Sequence, residues 1–285
     1  MVPTRTLENH ACDLLSSLTA GLDHSLGIGS FSVAIYDTAW VAMVEKVDEK
    51  TGERQALFPE CFQFLLDTQL SDGTWEAYSC ELDGILNSMA ALLALKRRSA
   101  SLKTPDSELD ARCIRAQDAL QKLLKRWQVG ACDRVGFEII VPALLRLLQD
   151  VGVELDFPAR DALMDLCDAK TAKLYPLLYG GTQSTLTHSL EAFAGKLNYD
   201  KVKHHASPYG AMLASPSSTA ASLIYAKEWD PRAETYLRQV VDAQGGTGGV
   251  PSAFPTTIFE LSWVCISYNL VSKRRLTRFR LLRLC

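Results

Sequence analysis

The sequence predicts an all-α fold. Apolar residues recur at three- and four-residue spacing along almost the whole chain, which is the period of a helix that buries one face. Alternating strand-type stretches are scarce, and Pro142 directly follows the best of them, residues 137–141. Turn-rich breaks separate the helical groups. They lie near residues 48–54, 99–106, 199–210 and 245–251.

Each helix is predicted from its apolar spacing and its end signals. Leu7 through Leu18 form the first apolar stripe. Asp37 or Thr38 is predicted to cap the next helix, which carries Trp40 inward. The remaining predicted helices span residues 59–70, 82–97, 109–127, 142–150, 160–173, 186–197, 218–227, 231–241 and 258–270.

Composition indicates an ordinary globular protein. The 285 residues are 47% hydrophobic and 22% charged, which is enough apolar material for a packed core. No run of about 18 apolar residues occurs and no secretory signal opens the chain, so we expect a cytoplasmic protein without a membrane span. The eight cysteines form no C-x-x-C pair, which predicts reduced and mostly buried thiols rather than a zinc knuckle or a disulfide framework.

Charge is distributed unevenly. Residues 271–285 hold six cations and no acid, so that residues 1–270 carry a net charge of −9. A negative body is a poor partner for nucleic acid, whose binding depends on cationic contacts to phosphate. We therefore expect no nucleic-acid partner.

Two local patterns stand out beyond packing. In the segment from Gln69 to Trp75, Gly73 permits a tight turn, Trp75 can pack over a helix end, and the Gln69 side chain can bond to backbone. His188 lies in a helical segment with no marked partner, and such a histidine is more often structural than catalytic. Local chemistry alone indicates a helical domain and no particular reaction.

Several segments together resemble class II diterpene cyclases, especially the amino-terminal half of fungal bifunctional copalyl diphosphate and kaurene-type synthases. The matching segments, in order, are residues 34–42, 58–75, 135–138, 185–191, 215–220 and 248–260. The resemblance covers roughly residues 30–270.

This resemblance implies α-helical barrel domains, called β and γ, with γ inserted into β. Residues 1–54 would form the first helices of the β domain. Residues 55–262 would form γ, and residues 263–270 would return to β.

The resemblance also implies an activity for the parent enzyme. Such enzymes are isomerases that fold geranylgeranyl diphosphate in a dry pocket, protonate its terminal alkene and close two rings to give a copalyl-type diphosphate. Magnesium is the cofactor, and some members carry a second, lyase-type terpene synthase half. The proton donor is the middle acid of an Asp-x-Asp-Asp motif, and this sequence contains no Asp-Asp pair. We therefore expect the chain to be an inactive fragment.

Two residues match the deprotonation side of related plant cyclases, where a histidine and an asparagine hold a water that acts as base. His188 matches the histidine, and Ser252 stands where those relatives have asparagine. The predicted catalytic dyad is thus half matched. The acidic run that those relatives place before the Gly136-Phe137-Glu138 segment is reduced here to Asp133, so no metal ligand is predicted.

Alternatives remain open at this level. A triterpene cyclase of the squalene-hopene type has the same architecture, but repeated glutamine-tryptophan motifs would favour it and one clean copy is present. A non-catalytic helical interaction module is the second alternative. The basic tail, residues 271–285, is either a membrane-surface helix or non-native read-through, that is, translated intron or frameshifted sequence. The intron start GTAAGT encodes Val-Ser, as at residues 271–272. We expect non-native read-through.

Overall fold

The computed structural model describes residue 9, residues 26–48 and residues 50–271. Residues 32–252 form one compact unit, and residues 1–31 together with 253–285 form a second. Apart from residue 9, the predicted stripe at residues 7–18 lies outside the described residues. The basic tail after residue 271 lies outside them as well.

Helices dominate the described chain, which confirms the predicted class. Residues 32–252 contain α1 (Ile35–Ala42), β1 (Glu45–Val47), β2 (Arg54–Ala56), α2 (Pro59–Thr68), α3 (Glu81–Ser101), α4 (Ser107–Arg126), α5 (Phe137–Asp150), α6 (Arg160–Tyr179), α7 (Pro216–Tyr225) and α8 (Pro231–Ala243). Short 3-10 helices lie at Val129–Ala131, Thr185–Phe193, Tyr199–Lys201 and Lys203–His205. The second unit contains α9 (Thr257–Val271). None of the described helices combines the length and apolar character that a membrane span requires.

The core of residues 32–252 is built around α1 and α3. Helix α1 packs against α2, α3 and α7, and all of its residues except Tyr36 are buried. In α3, residues 87–95 are all buried, which is typical of a helix enclosed on every side. Helix α4 covers α3 with one apolar face. The buried residues of that face are Leu109, Cys113, Ala116, Leu120 and Leu124.

The strand-type stretch at residues 137–141 is the beginning of α5, so the alternative of a strand there is wrong. Gly136, with φ of 94°, precedes this helix, and its carbonyl accepts bonds from the amides of Ile139 and Ile140. Helix α5 packs on α3 and α6, and the apolar face that it buries outweighs the strand preference of its β-branched residues. Pro142 lies inside the helix.

Two further segments differ from their predicted form. The turn-rich region near residues 48–54 is the connection of a small antiparallel hairpin, in which Glu45 pairs with Ala56. The helix predicted at residues 186–197 is a 3-10 helix that ends at Phe193 and is kinked at Ser189. The three described cysteines with full burial, Cys61, Cys113 and Cys167, are free thiols, as predicted.

Candidate functional site

A cluster of polar side chains is buried where α1, the 185–193 segment and α7 meet. We call Asp37, Glu191, Ser217 and Ser218, together with the half-buried Tyr36, the buried polar cluster. Asp37 is 5% exposed, Glu191 and Ser217 are 2% exposed, and Ser218 is fully buried. These residues belong to three separate sequence segments, so the fold brings together groups that lie far apart in the chain.

Hydrogen bonds hold Glu191 from two sides. The Ser218 hydroxyl donates to Glu191 Oε2 over 2.7 Å and accepts the Leu190 amide over 2.8 Å. The Tyr36 hydroxyl donates to Glu191 Oε1 over 3.3 Å. The carboxyl therefore links the 185–193 segment to both α1 and α7.

Burial changes the protonation of both acids in the cluster. Loss of solvent raises the pKa of the Glu191 carboxyl to about 8, although the Ser218 hydroxyl opposes the shift. Burial likewise raises the pKa of Asp37 to about 7, against contacts from the Ser217 hydroxyl and amide. Neutral carboxylic acids avoid the cost of placing two anions in a low-dielectric interior. At mildly acidic pH the cluster is therefore uncharged.

The glycine-rich loop at residues 248–252 is fastened to the start of α1. The Ala34 amide donates to the Val250 carbonyl over 2.8 Å, and the Val250 amide donates to Thr38 Oγ1 over 3.0 Å. A Cβ at Gly248, where φ is 79°, would collide with the Glu60 carbonyl oxygen. The loop therefore requires glycine to approach α2 this closely.

The predicted capping role of Asp37 or Thr38 is wrong. The N-cap position of α1 is Ala34, and no side chain caps this helix end. Both residues lie inside the helix, where the Thr38 hydroxyl donates to the Ala34 carbonyl over 2.8 Å. Asp37 is enclosed instead of facing the helix end, because α7 covers it. The predicted inward position of Trp40 is confirmed, with 0% exposure.

The Gln69–Trp75 turn has the structural role that its sequence predicts. Gln69 Nε2 donates to the carbonyls of Gly73 and Arg112 over 3.1 and 3.3 Å. Trp75 is 1% exposed, and its indole Nε1 donates to the Leu65 carbonyl over 2.9 Å. These contacts join the end of α2 to α4.

His188 lies in the 185–193 segment and Ser252 lies in the 248–252 loop, and α1 forms hydrogen bonds with both of these segments. His188 is half-buried, and this burial lowers the pKa of its imidazole from the usual 6.5, which favours the neutral base. Ser252 is half-buried at the end of the loop. Within the described residues, no hydrogen bond joins the two side chains to each other. Their pairing as a dyad stays a prediction.

The sequence predicts no metal ligand at Asp133. This residue is exposed, and its Oδ1 lies 3.5 Å from Arg134 Nε. In the part of the chain that the structure describes, no group of three or more His, Cys, Asp or Glu side chains is placed to hold a metal ion.

No protein-family model matches the chain. Its sequence is 47% identical over 266 residues to a copalyl diphosphate synthase of Talaromyces verruculosus, which covers 90% of this chain and 27% of that protein. Its fold is similar to abietadiene synthase from Abies grandis, with a TM-score of 0.72 and 27% identity over 90% of this chain and 32% of that one.

A second structure, ent-copalyl diphosphate synthase from Arabidopsis thaliana in complex with (S)-15-aza-14,15-dihydrogeranylgeranyl thiolodiphosphate, is also similar. The TM-score is 0.66 and the identity 27%, over 93% of this chain and 38% of that one. The chain thus spans about a quarter of the length of the fungal relative that it matches. Over this shared stretch, the chain is similar in sequence and in fold to copalyl diphosphate synthases and other diterpene synthases.

Proposed function

We propose that the chain is part of a diterpene cyclase whose complete form converts geranylgeranyl diphosphate to a copalyl-type diphosphate. The observation that carries the proposal is the 47% identity to a copalyl diphosphate synthase over 90% of this chain. A solved relative holds an aza analogue of a geranylgeranyl compound. A triterpene cyclase is not favoured, because the relatives found by sequence and by fold are diterpene synthases.

The reaction needs a strong acid that this chain does not supply. Protonation of an isolated alkene requires a buried carboxylic acid, and the sequence has no Asp-x-Asp-Asp motif. Asp37 and Glu191 are buried acids, but they contact the serines of α7 and belong to no such motif. We infer that the donor lies outside these 285 residues, because the motif is absent from them. We expect the chain alone to return geranylgeranyl diphosphate unchanged.

We propose that His188 helps to remove the proton from the cation that remains after the two rings have closed. Its neutral imidazole can accept a proton directly or through a water, as a general base does. Ser252 has a hydroxyl that could orient such a water, in place of the asparagine of the plant relatives.

Magnesium as the cofactor of the complete enzyme stays a prediction. Within the described residues, no group of three or more His, Cys, Asp or Glu side chains is placed to hold a metal ion. No step of the proposed reaction is therefore assigned to a metal held by this chain. The division into β and γ domains at residue 54 and the cytoplasmic location also stay predictions.

A segment exchange tests the proposed function. Residues 26–270 would replace the matching stretch of the Talaromyces verruculosus enzyme, whose remaining sequence supplies the rest of the protein. We expect the hybrid to form a copalyl-type diphosphate, detected by gas chromatography and mass spectrometry after dephosphorylation. A folded hybrid without cyclised product would refute the proposal.

His188→Ala and Ser252→Asn in the hybrid test the assigned base. We expect His188→Ala to slow formation of the normal product or divert it to hydroxylated products, since the final cation then lacks its base. Ser252→Asn restores the residue of the plant relatives and should keep the hybrid active. An unchanged product profile in His188→Ala would remove His188 from the mechanism.

A further inference from the structure

A cleft of about 470 Å³ opens at the carboxyl-terminal end of α1, within the 32–252 unit. Its walls come from the β1–β2 hairpin, the first turn of α2 and the last turns of α3 and α7. Ligand pockets in proteins typically have volumes of about 300–1,000 Å³. The cleft is therefore large enough for a small molecule.

The floor of the cleft is apolar. Ala42, Met43, Ala94 and Leu223 line it and are at most 7% exposed. Half-buried aromatic rings, including Trp229, form its sides. Such a floor favours a ligand with an apolar portion, because burying that portion removes it from water.

Positive charge surrounds this apolar floor. Among the described residues that line the cleft, Glu45 is the one acid. The lining cations are Lys46, Arg54, Arg97, Arg98 and Lys227. Residues 1–270 carry a net charge of −9, so the cleft is a local reversal of the charge of the chain.

Most of these cations are not neutralised by the protein itself. Lys46 pairs with Glu234 over 2.7 Å. Arg97 donates to the Tyr225 hydroxyl over 2.5 Å, and the Arg98 guanidinium lies 6.0 Å from the centre of the Phe62 ring. Within the described residues, none of the other four lining cations forms an ion pair with a carboxylate. Their charge is available to a ligand.

We propose that the cleft binds one molecule of an anionic amphiphile that carries a phosphate or diphosphate head on an apolar chain. Guanidinium groups match phosphate oxygens in a two-pronged geometry, and three arginines with a lysine suit a head with more than one negative charge. The concave shape fits a single molecule better than a flat lipid surface. The proposal does not depend on the cyclase function, since it concerns binding by this chain alone.

Dodecyl phosphate, kept below its micelle-forming concentration, is the probe. Isothermal titration of the full chain should show binding of one molecule. Inorganic phosphate, dodecyl maltoside and dodecanoate should each bind at least roughly tenfold more weakly, because each lacks the chain, the charge or the second negative charge. Equal binding of dodecyl maltoside or of inorganic phosphate would overturn the proposal.

A matched pair of variants localises the site. Arg54→Glu with Lys227→Glu reverses two exposed cations of the cleft, and Lys122→Glu with Lys173→Glu reverses two exposed cations elsewhere. We expect the first variant to weaken dodecyl phosphate binding by roughly tenfold or more and the second to leave it nearly unchanged. Circular dichroism checks that both stay folded.

Two results contradict the proposal at this point. Equal weakening in both variants would show that net charge, and not the cleft, attracts the probe. Co-sedimentation with phosphatidic acid vesicles that the cleft variant abolishes, without binding of monomeric dodecyl phosphate, would show a lipid surface as the partner instead. Neither result bears on the segment exchange, so failure here leaves the proposed cyclase function standing.

Discussion

Glu191→Gln is the substitution that most directly tests the buried polar cluster, through the dependence of stability on pH. In the folded chain the pKa of Glu191 is about 8 and that of Asp37 about 7, against usual values of 4.5 and 3.8. At pH values between the usual and the raised pKa, each of these two carboxyls is ionised in the unfolded chain and protonated in the folded chain. The contribution of these two acids to the free energy of unfolding is therefore largest below the usual pKa values and falls as the pH rises towards about 8.

The size of the effect follows from these shifts. Each group contributes a slope of at most about 1.4 kcal/mol per pH unit. The rise of the Asp37 pKa from 3.8 to about 7 corresponds to about 4 kcal/mol of unfolding free energy between those two pH values. The charge on Asp37 also raises the pKa of Glu191, so the two contributions are not independent. We expect the wild-type chain to lose several kcal/mol between about pH 5 and about pH 8.

Glutamine can replace the protonated acid with little rearrangement. Its carbonyl can accept the Ser218 hydroxyl, and its amide can donate to the Tyr36 oxygen. Glu191→Gln should therefore be nearly as stable as the wild type at pH 5 and more stable at pH 8. Asp37→Asn should also flatten the pH profile, and the exposed Glu154→Gln should not.

Urea unfolding at constant ionic strength, followed by tryptophan fluorescence, measures these profiles. His188 acts with the opposite sign, because its lowered pKa makes stability rise with pH up to about 6.5. Its contribution can be subtracted with His188→Gln. A wild-type profile that stays flat or rises from pH 5 to pH 8 after this subtraction would refute the assignment of the two acids as buried and neutral. The same slope in Glu191→Gln as in the wild type would do so as well.

Three further predictions concern the core. Trp40→Ala should lower the free energy of unfolding by about 3–5 kcal/mol in urea titrations, because this ring is fully buried, whereas Trp263→Ala, at 57% exposure, should change it little. Thr38→Val removes the acceptor for a buried loop amide and should cost about 1–3 kcal/mol in the same titration; an unchanged midpoint would contradict the bond described. A segment of residues 55–262 lacks α1 and should melt at a lower temperature in calorimetry than a segment of residues 32–252, and the reverse order would favour a domain boundary at residue 54.

Much of the helical organisation was predictable from the sequence, because apolar spacing reports burial directly. The α4 face and the Gln69–Trp75 turn are examples in which local patterns and tertiary contacts agree. Residues 137–141 show the limit of such reasoning. A β-branched run followed by proline is compatible with either a strand or a helix, and only its packing against α3 and α6 decides between them.

The buried polar cluster was beyond prediction for a different reason. Asp37 has the sequence position of a helix cap, and Glu191 resembles any surface acid on a helix. Their burial depends on α7, whose serines lie some 27 residues after Glu191. Nothing in either local segment indicates that partner. The resemblance to diterpene cyclases singled out the three segments that contain these residues, but it did not show that the acids contact serines.

The buried polar cluster occupies positions at which apolar side chains would need no hydrogen-bond partners. We infer that the buried polar groups of this chain select one arrangement of its segments, since each hydrogen bond fixes a register that apolar contacts leave free. Here one bond joins residues 155 positions apart, from α1 to Glu191, and another joins residues 212 positions apart, from Thr38 to the Val250 amide. Glu191 lies three residues after His188, across the kink at Ser189, and Val250 lies two residues before Ser252. We infer that the same short helix fixes the positions of both segments, so that substitutions in α1 should displace His188 and Ser252 without touching either.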